Sequence, residues 1–490
     1  MCIRDRGCTP LNIFGAGNIS DDAAAFLNTA VAATSEFSQT VLQGNLSGNL
    51  GGFSFTDEPI GAAIGGEYID VSADFRPSQD LAASTIAGFN GSPASGGEFD
   101  VLSVYGELQI PLLSGLAFAE RVTLDLAGRY SDYSTSGDNY TYKVGGEWAV
   151  TDEYRFRGNF NRAVRAPNIG ELFAPVAQNF PGAQDPCSAG GAPDGGITAA
   201  VRDICIATGV PAAAVGSAAI NTISGQVETL GGGNPDLDVE EADTFTVGFV
   251  AQPDFVEGLS LSVDYYDITI DNAIAAFGGG ANNVLTTCYT NPDVGGAGSD
   301  FCNVVNRRPD GSIDFISLTA QNVASIETSG IDIAANYGFD LPNDFGGLDV
   351  RYLGTVVLEN DFTAFAGDDP ITCDGEFGTD CGEPDPTYRH RVTASWDKGA
   401  LGSQFVWRLV GSVDDDAPGT NFVNEIGTEH YVDWSGAYDF TDNLSVTVGV
   451  NNLLDNNPPV IGDNDEQANT FPATYDVFGR TFFANFKAKF

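Results

Sequence analysis

The chain has 490 residues, 67 of them acidic and 21 basic, and a formal net charge of −46. A field of that sign repels nucleic acid and leaves no polybasic face for docking on an anionic surface. Charged residues make up only 18 %, while Gly numbers 60 and Met 1, a balance that favours strands joined by turns and loops over helices.

Residues 1–7 (MCIRDRG) are charged, have no apolar run behind them and match nothing that follows. They are expected to be a leader foreign to the rest, with 8–490 forming one unit. They do not make a secretory signal. The segment 20–34 (SDDAAAFLNTAVAAT) predicts a short helix, with Ser20 as N-cap and Asp21 and Asp22 at its positive end.

Beyond it the pattern turns to period two. Segments at about 40–50, 61–75, 98–110, 120–133, 138–150, 153–165, 240–251, 258–271, 324–340, 347–362, 388–399, 401–413, 429–441, 443–455 and 476–490 read as fifteen strands. Near the C-terminus, Leu444, Val446, Val448 and Val450 share one face, and Ser445, Thr447, Gly449 and Asn451 the other. Strands in soluble sheets average roughly five or six residues. Strands this long and this regular suit a tilted membrane crossing, which needs about ten. No run of about 18 apolar residues offers a membrane helix instead.

Four arginines, Arg155, Arg157, Arg162 and Arg165, crowd the strand 153–165, and Glu171 follows. Arg155 and Arg157 share a face, which Arg165 joins if the strand stays regular. In a barrel that face is the lumen, because arginine on the lipid side costs about 2–4 kcal/mol at the bilayer midplane. All four arginines, with Glu171, are therefore read as lumenal candidates in structural ion pairs rather than as ligand contacts.

The connections alternate. Short ones (VTDE, PDFVEG, LPNDFGG, GAL, TDN) interleave with long ones at about 166–239, 272–323, 363–387, 414–428 and 456–475. Outer-membrane barrels have this asymmetry of short periplasmic turns and long outer loops. The fold class expected is all-β: a transmembrane antiparallel β-barrel with short helices in its outer loops. One such helix is expected over 197–209, with Ile197, Val201 and Ile204 on one face and Gly209 as its stop.

Six cysteines fall in three of the long loops as close pairs: Cys187 and Cys205, Cys288 and Cys302, Cys373 and Cys381. None has CxxC spacing, so local disulfides in an oxidising compartment are expected. Cys8 has only Cys2 nearby. Aromatics near strand ends, including Tyr130, Tyr133, Tyr140, Tyr142, Tyr265, Tyr266, Tyr431, Trp434, Phe482 and Phe483, suit interfacial girdles. His390 and His430 are expected at surface or girdle positions.

No G-x-S-x-G, HExxH or P-loop occurs, and two histidines are too few for a His-based site. The chain is read as a non-enzyme without cofactor or metal centre. Acidic groups at Asp368/Asp369, Asp414–Asp416 and Asp463/Asp465/Glu466 read as solvated loops, with a structural or lipopolysaccharide-bridging Ca²⁺ as the alternative.

Four blocks, in order, carry a resemblance: RGNFNRAVRAPNIGELF, NPDLDVE at 234–240, ETSGIDIAANYGF at 327–339, and VTVGVNNLLDNNPP at 446–459. With the terminal Phe490, they resemble hallmark segments of TonB-dependent outer-membrane receptors. The matching positions are Arg165, Ala166, Pro167, Asn168, Glu171, Leu172, Phe173, Asn234, Pro235, Asn451, Asn452 and Phe490. Such receptors are barrels of roughly 22 strands with a plugged lumen. The resemblance implies that these fifteen strands are the C-terminal part of one, without plug or TonB box. It implies an outer-membrane location in a Gram-negative bacterium and uptake of a nutrient such as a carbohydrate or siderophore. The implied partners are TonB through the plug, the barrel-assembly machinery through the last strand, lipopolysaccharide, and an extracellular ligand. A secreted acidic adhesin or Ca²⁺-binding β-protein is the rival; it predicts a fixed short repeat, and none is present.

Overall fold

The computed structural model describes residues 11–489 apart from 53, 84, 87–90, 194–195, 379, 418–421 and 463–468. Residues 1–7, Cys2, Cys8, Asp463, Asp465, Glu466 and Phe490 lie outside the described residues.

Fifteen long strands follow one another: β1 (Ala33–Leu50), β2 (Ile60–Pro77), β3 (Ser95–Leu116), β4 (Ala119–Tyr133), β5 (Gly137–Ala149), β6 (Tyr154–Arg165), β7 (Glu240–Ala251), β8 (Leu259–Ala276), β9 (Ile313–Asp340), β10 (Gly347–Thr363), β11 (Tyr388–Lys398), β12 (Leu401–Val410), β13 (Glu429–Thr441), β14 (Leu444–Asn451) and β15 (Thr481–Ala488). Each pairs antiparallel with the next. The result is one large up-and-down antiparallel sheet with β1 and β15 at its edges. Among the described residues no ladder joins those two edges.

Boundaries depart from the sequence pattern where tertiary pairing overrides it. The helix after Ser20 stops at Leu27, because Asn28 is extended and Ala33 already pairs with Pro77. The strand expected from 324 begins at Ile313; its extra residues stand among the loops and pair there with Val305–Arg307 and Thr229–Gly232. β14 ends at Asn451 because Asn452 takes a left-handed φ of 50°. The loop helix Ala199–Ala207 forms as expected, with Thr198 capping it and Gly209 (φ 108°) beyond its end.

The register sorts side chains into two faces. One carries Ile64, Val104, Leu108, Val144, Trp148, Phe156, Phe160, Phe245, Val247, Phe405, Val448, Phe482 and Phe486, all exposed. A continuous band of exposed apolar side chains marks a surface that something non-aqueous covers. The other face is polar and holds most of the strand-to-strand ion pairs.

The water-excluding cores lie in the loops. One gathers Val201, Val210, Val284, Leu285, Phe301 and Ile316 from 166–239, 277–312 and the start of β9. The other gathers Phe377, Val413, Ile426, Ile461, Phe471 and Tyr475 from the connections after β10, β12 and β14. All three expected disulfides form inside these loops: Cys187–Cys205, Cys288–Cys302 and Cys373–Cys381.

Candidate functional site

The loop end of the polar face is organised by the arginine-rich strand. Arg165 is the last residue of β6, and Pro167 cannot extend the ladder. Asn168 then caps the helix Ile169–Phe173: its side chain accepts from the Glu171 N–H at 2.9 Å, and Glu171 accepts from the Asn168 N–H at 2.8 Å. The same Glu171 carboxylate receives Arg165 at 3.0 and 3.1 Å. Arg165 also binds Glu240, with one contact at 2.7 Å, and Glu240 accepts from the Ile274 N–H at 2.7 Å.

Glu240 is the last residue of NPDLDVE, so two motifs far apart in sequence meet on one guanidinium. The Asn234 N–H donates to the Glu171 carbonyl at 2.8 Å, and the Asn234 amide donates to the Ala320 carbonyl at 3.1 Å. Leu172 and Leu237 are buried beside them. Together these contacts close the neck of the longest loop. Phe173 packs on Gly97 of β3, where a Cβ would stand 2.0 Å from the ring. The neck therefore leans inward over the polar face.

Arg155 and Arg157 lie on that face and pair with acidic residues of other strands. Arg155 and Arg121 share Glu147 at 3.7 and 3.2 Å. Arg157 grips Asp264 through two hydrogen bonds of 2.7 and 2.6 Å. Arg162 corrects the expectation. Its even position in an unbroken ladder puts it on the apolar-band side, opposite Asp243 and Tyr142. There, beyond Phe160 at the loop end, it is neutralised by Asp243 at 2.8 and 2.6 Å and Glu241 at 3.3 Å.

The girdle expectation divides in the same way. Tyr130, Tyr140, Tyr142, Tyr265, Trp434 and Phe482 share the outward face, whereas Tyr133, Tyr266 and Phe483 point to the polar one. Tyr431 also lies inward and is wholly buried against Arg408, 5.0 Å from its ring centre. His390 stands edge-on to Trp407 at 4.4 Å, and the Trp407 indole donates to His430 Nδ1 at 3.3 Å. Both histidines thus belong to an outward aromatic patch near the loops. At the short-turn end, Trp148 and Trp396 donate to the carbonyls of Phe118 and Phe345 at 2.8 and 2.7 Å.

Several functional groups were not singled out from the sequence. Arg307 is buried with Asp185 at 2.6 and 2.8 Å, donates to Tyr289 Oη at 2.9 Å and to the Gly311 carbonyl at 2.7 Å. Burial opposes its charge, yet the hydrogen bonds to Asp185 and Tyr289 hold its pKa above the ordinary arginine value. This pair joins the loop 166–239 to the loop 277–312. In the second module Arg408 binds Asp476 at 2.7 and 3.1 Å and Asp433 at 3.4 Å. Asp433 in turn accepts from the Asn452 N–H at 2.8 Å, and the Asn452 amide exchanges hydrogen bonds with the backbone of Asn456 at 2.7 and 3.0 Å. The NNLLD segment is therefore a turn that fixes the carboxylate beside Arg408.

Asp374, Asp414, Asp415 and Asp416 gather around Glu376 in the second loop module. The Asp416 carboxylate accepts from the Asp380 and Cys381 N–H groups at 2.8 Å. Among the described residues no group of three His, Cys, Asp or Glu is placed to hold a metal.

A cavity of about 570 Å³ opens on the polar face beneath the second loop module, between β8–β9 and β11–β12. Asp264 and Asp332 stand on one side, and Arg389, Arg391 and Arg408 on the other.

A family model described as TonB dependent receptor-like, beta-barrel, matches residues 10–453. No curated protein matches the sequence. Among solved structures, the chain is similar to the ferric enterobactin receptor of Pseudomonas aeruginosa, with a TM-score of 0.61 and 17% identity over 93% of this chain and 55% of that one. It is also similar to the siderophore receptor PirA from Acinetobacter baumannii, with 0.55 and 16% over 93% and 55%. The ferripyoverdine receptor of the outer membrane of Pseudomonas aeruginosa gives 0.50 and 14% over 87% and 46%. The chain spans about half the length of these structures, and the likeness is one of fold.

Proposed function

The chain belongs to the TonB-dependent receptor β-barrel family, and from that premise we propose that it forms the wall and outer loops of a nutrient-uptake receptor in a Gram-negative outer membrane. One observation carries this reading: a single sheet of fifteen strands with an exposed apolar face, a polar face of paired charges, and cystine-stapled loops at one end only. The apolar face meets lipid, the polar face lines the lumen, and the loops meet the outside.

The work is capture and translocation, with no bond made or broken. Coupling to TonB runs through a lumen-filling segment of the kind that such receptors carry. The last strand is the contact for the barrel-assembly machinery, and lipopolysaccharide surrounds the outward aromatic patch. Structural neighbours named as siderophore receptors make a siderophore one cargo class, with carbohydrate the other.

The test is fractionation. The chain, sent to the envelope of a Gram-negative host, should sediment with outer membranes and migrate faster on gels unheated than boiled. A soluble monomer in the periplasm would overturn the reading.

A further inference from the structure

The cavity beneath the second loop module holds two like-charge pairs at directly opposed positions. Asp264 faces Asp332 across β8 and β9, and Arg391 faces Arg408 across β11 and β12. Opposed like charges weaken a sheet unless something offsets them. Two of the four are offset: Asp264 by Arg157, and Arg408 by Asp476 and Asp433. Arg389 has Asp385 at 3.6 Å. Among the described residues, Asp332 and Arg391 have no ion pair; Asp332 accepts only the Thr355 hydroxyl, at 2.7 Å. The cavity is thus left with one uncompensated carboxylate and one uncompensated guanidinium on opposite walls.

Their spacing follows from the register. Thr355 of β10 lies beside Asp332 on one side and Arg389 on the other, and Arg391 is two residues further along β11. Two strand spacings separate the walls, about 10 Å between backbones, a gap that the long arginine side chain shortens. Leu353, Val410, Pro386 and Ala473 supply apolar lining, and the last two come from the overlying loops.

A pure anion would leave Asp332 unanswered and would meet the −46 field of the chain. A pure cation would leave Arg391 unanswered. A neutral sugar would leave both free charges unanswered. We propose that this cavity binds a zwitterion of short-peptide size, its carboxylate on Arg391 and its ammonium on Asp332. The volume lies within the range of about 300–1,000 Å³ that holds small ligands. The proposal rests on the receptor reading above and assigns a cargo outside the siderophore and carbohydrate classes named there.

The test uses the whole chain refolded in detergent, with calorimetric titration of alanyl-alanine, its N-acetyl and C-amide derivatives, citrate and maltotriose. The free dipeptide should bind at least about tenfold more tightly than either capped form, the worth of one charge-assisted hydrogen bond. Arg391→Gln should abolish the preference for the free carboxylate and keep that for the free ammonium; Asp332→Asn should do the reverse. Equal binding of capped and free peptides, tighter binding of citrate or maltotriose, or no binding of the dipeptide by a folded barrel would each overturn the proposal. The unheated gel shift, recorded for every variant, separates this from a failure of the barrel, which would sink the receptor reading instead.

Discussion

Arg157 on β6 and Asp264 on β8 join across the intervening strand β7, at 2.7 and 2.6 Å. They meet because position 248 between them is glycine: a Cβ there would lie 1.9 Å from Asp264 Oδ1 and 3.1 Å from Arg157 Nε. One missing side chain lets a bond span three strands.

Gly248→Ala should therefore break this bridge while both partner residues keep their identity. Arg157 is half exposed, so the loss should be about 1 kcal/mol or less. Urea unfolding in detergent should give Gly248→Ala, Asp264→Asn and their double variant similar midpoints. Additive losses would show that the glycine serves some other contact.

Arg307 presents the opposite case. Its side chain and that of Asp185 are 2% and 0% exposed. Arg307→Met strands a buried carboxylate and should cost about 3–5 kcal/mol, whereas Arg307→Met with Asp185→Leu should recover most of it. The readout is hydrogen exchange in 166–239 and 277–312. Protection in the strands should hold, since this ion pair lies among the loops, apart from the exposed apolar band.

The neck of the longest loop should open when Arg165 is lost. Arg165→Ala removes hydrogen bonds to Glu171 and Glu240, and exposure limits the cost to about 1–2 kcal/mol. Trypsin and chymotrypsin should then cut within 166–239 several times faster. Glu240→Gln should have a similar effect and Arg155→Ala should not, because Arg155 pairs at the other end of the strand.

The second loop module should tighten in acid. Burial raises the Glu376 pKa, and Asp416, Asp374, Asp414 and Asp415 raise it further. Burial and Asp416 raise that of Asp380. A carboxyl raised by folding holds its proton more firmly folded than unfolded. Its contribution is greatest below the ordinary carboxylate range and is lost as pH rises through the raised values. Hydrogen exchange in 364–387, corrected for intrinsic rates, should slow between about pH 7 and pH 4, and Glu376→Gln should flatten the response. Faster exchange at low pH would contradict this.

Strand positions were legible because period two survives in nearly every strand, and loop disulfides because the cysteines come as near neighbours. Faces are legible only by parity: residue type groups Arg162 with Arg155, Arg157 and Arg165, although its even number puts it on the other side. The partners were not legible. Glu240 lies in a quoted motif, yet nothing local says that it meets Arg165, and Asp185 and Arg307 are 122 residues apart. The loop cores are hidden in the sequence for the same reason. Their apolar residues are scattered singly through acidic, irregular segments, where periodicity carries no signal.

The second loop core draws Phe377, Val413 and Ile426, and Phe471 and Tyr475, from three separate connections. It can close only when β10 to β15 stand side by side in their right order. A slip of one residue in any of these strands turns its apolar side chains inward and drags its loop out of line. The second loop module is therefore a gauge of strand order, and its integrity reports whether the strands beneath it are in register.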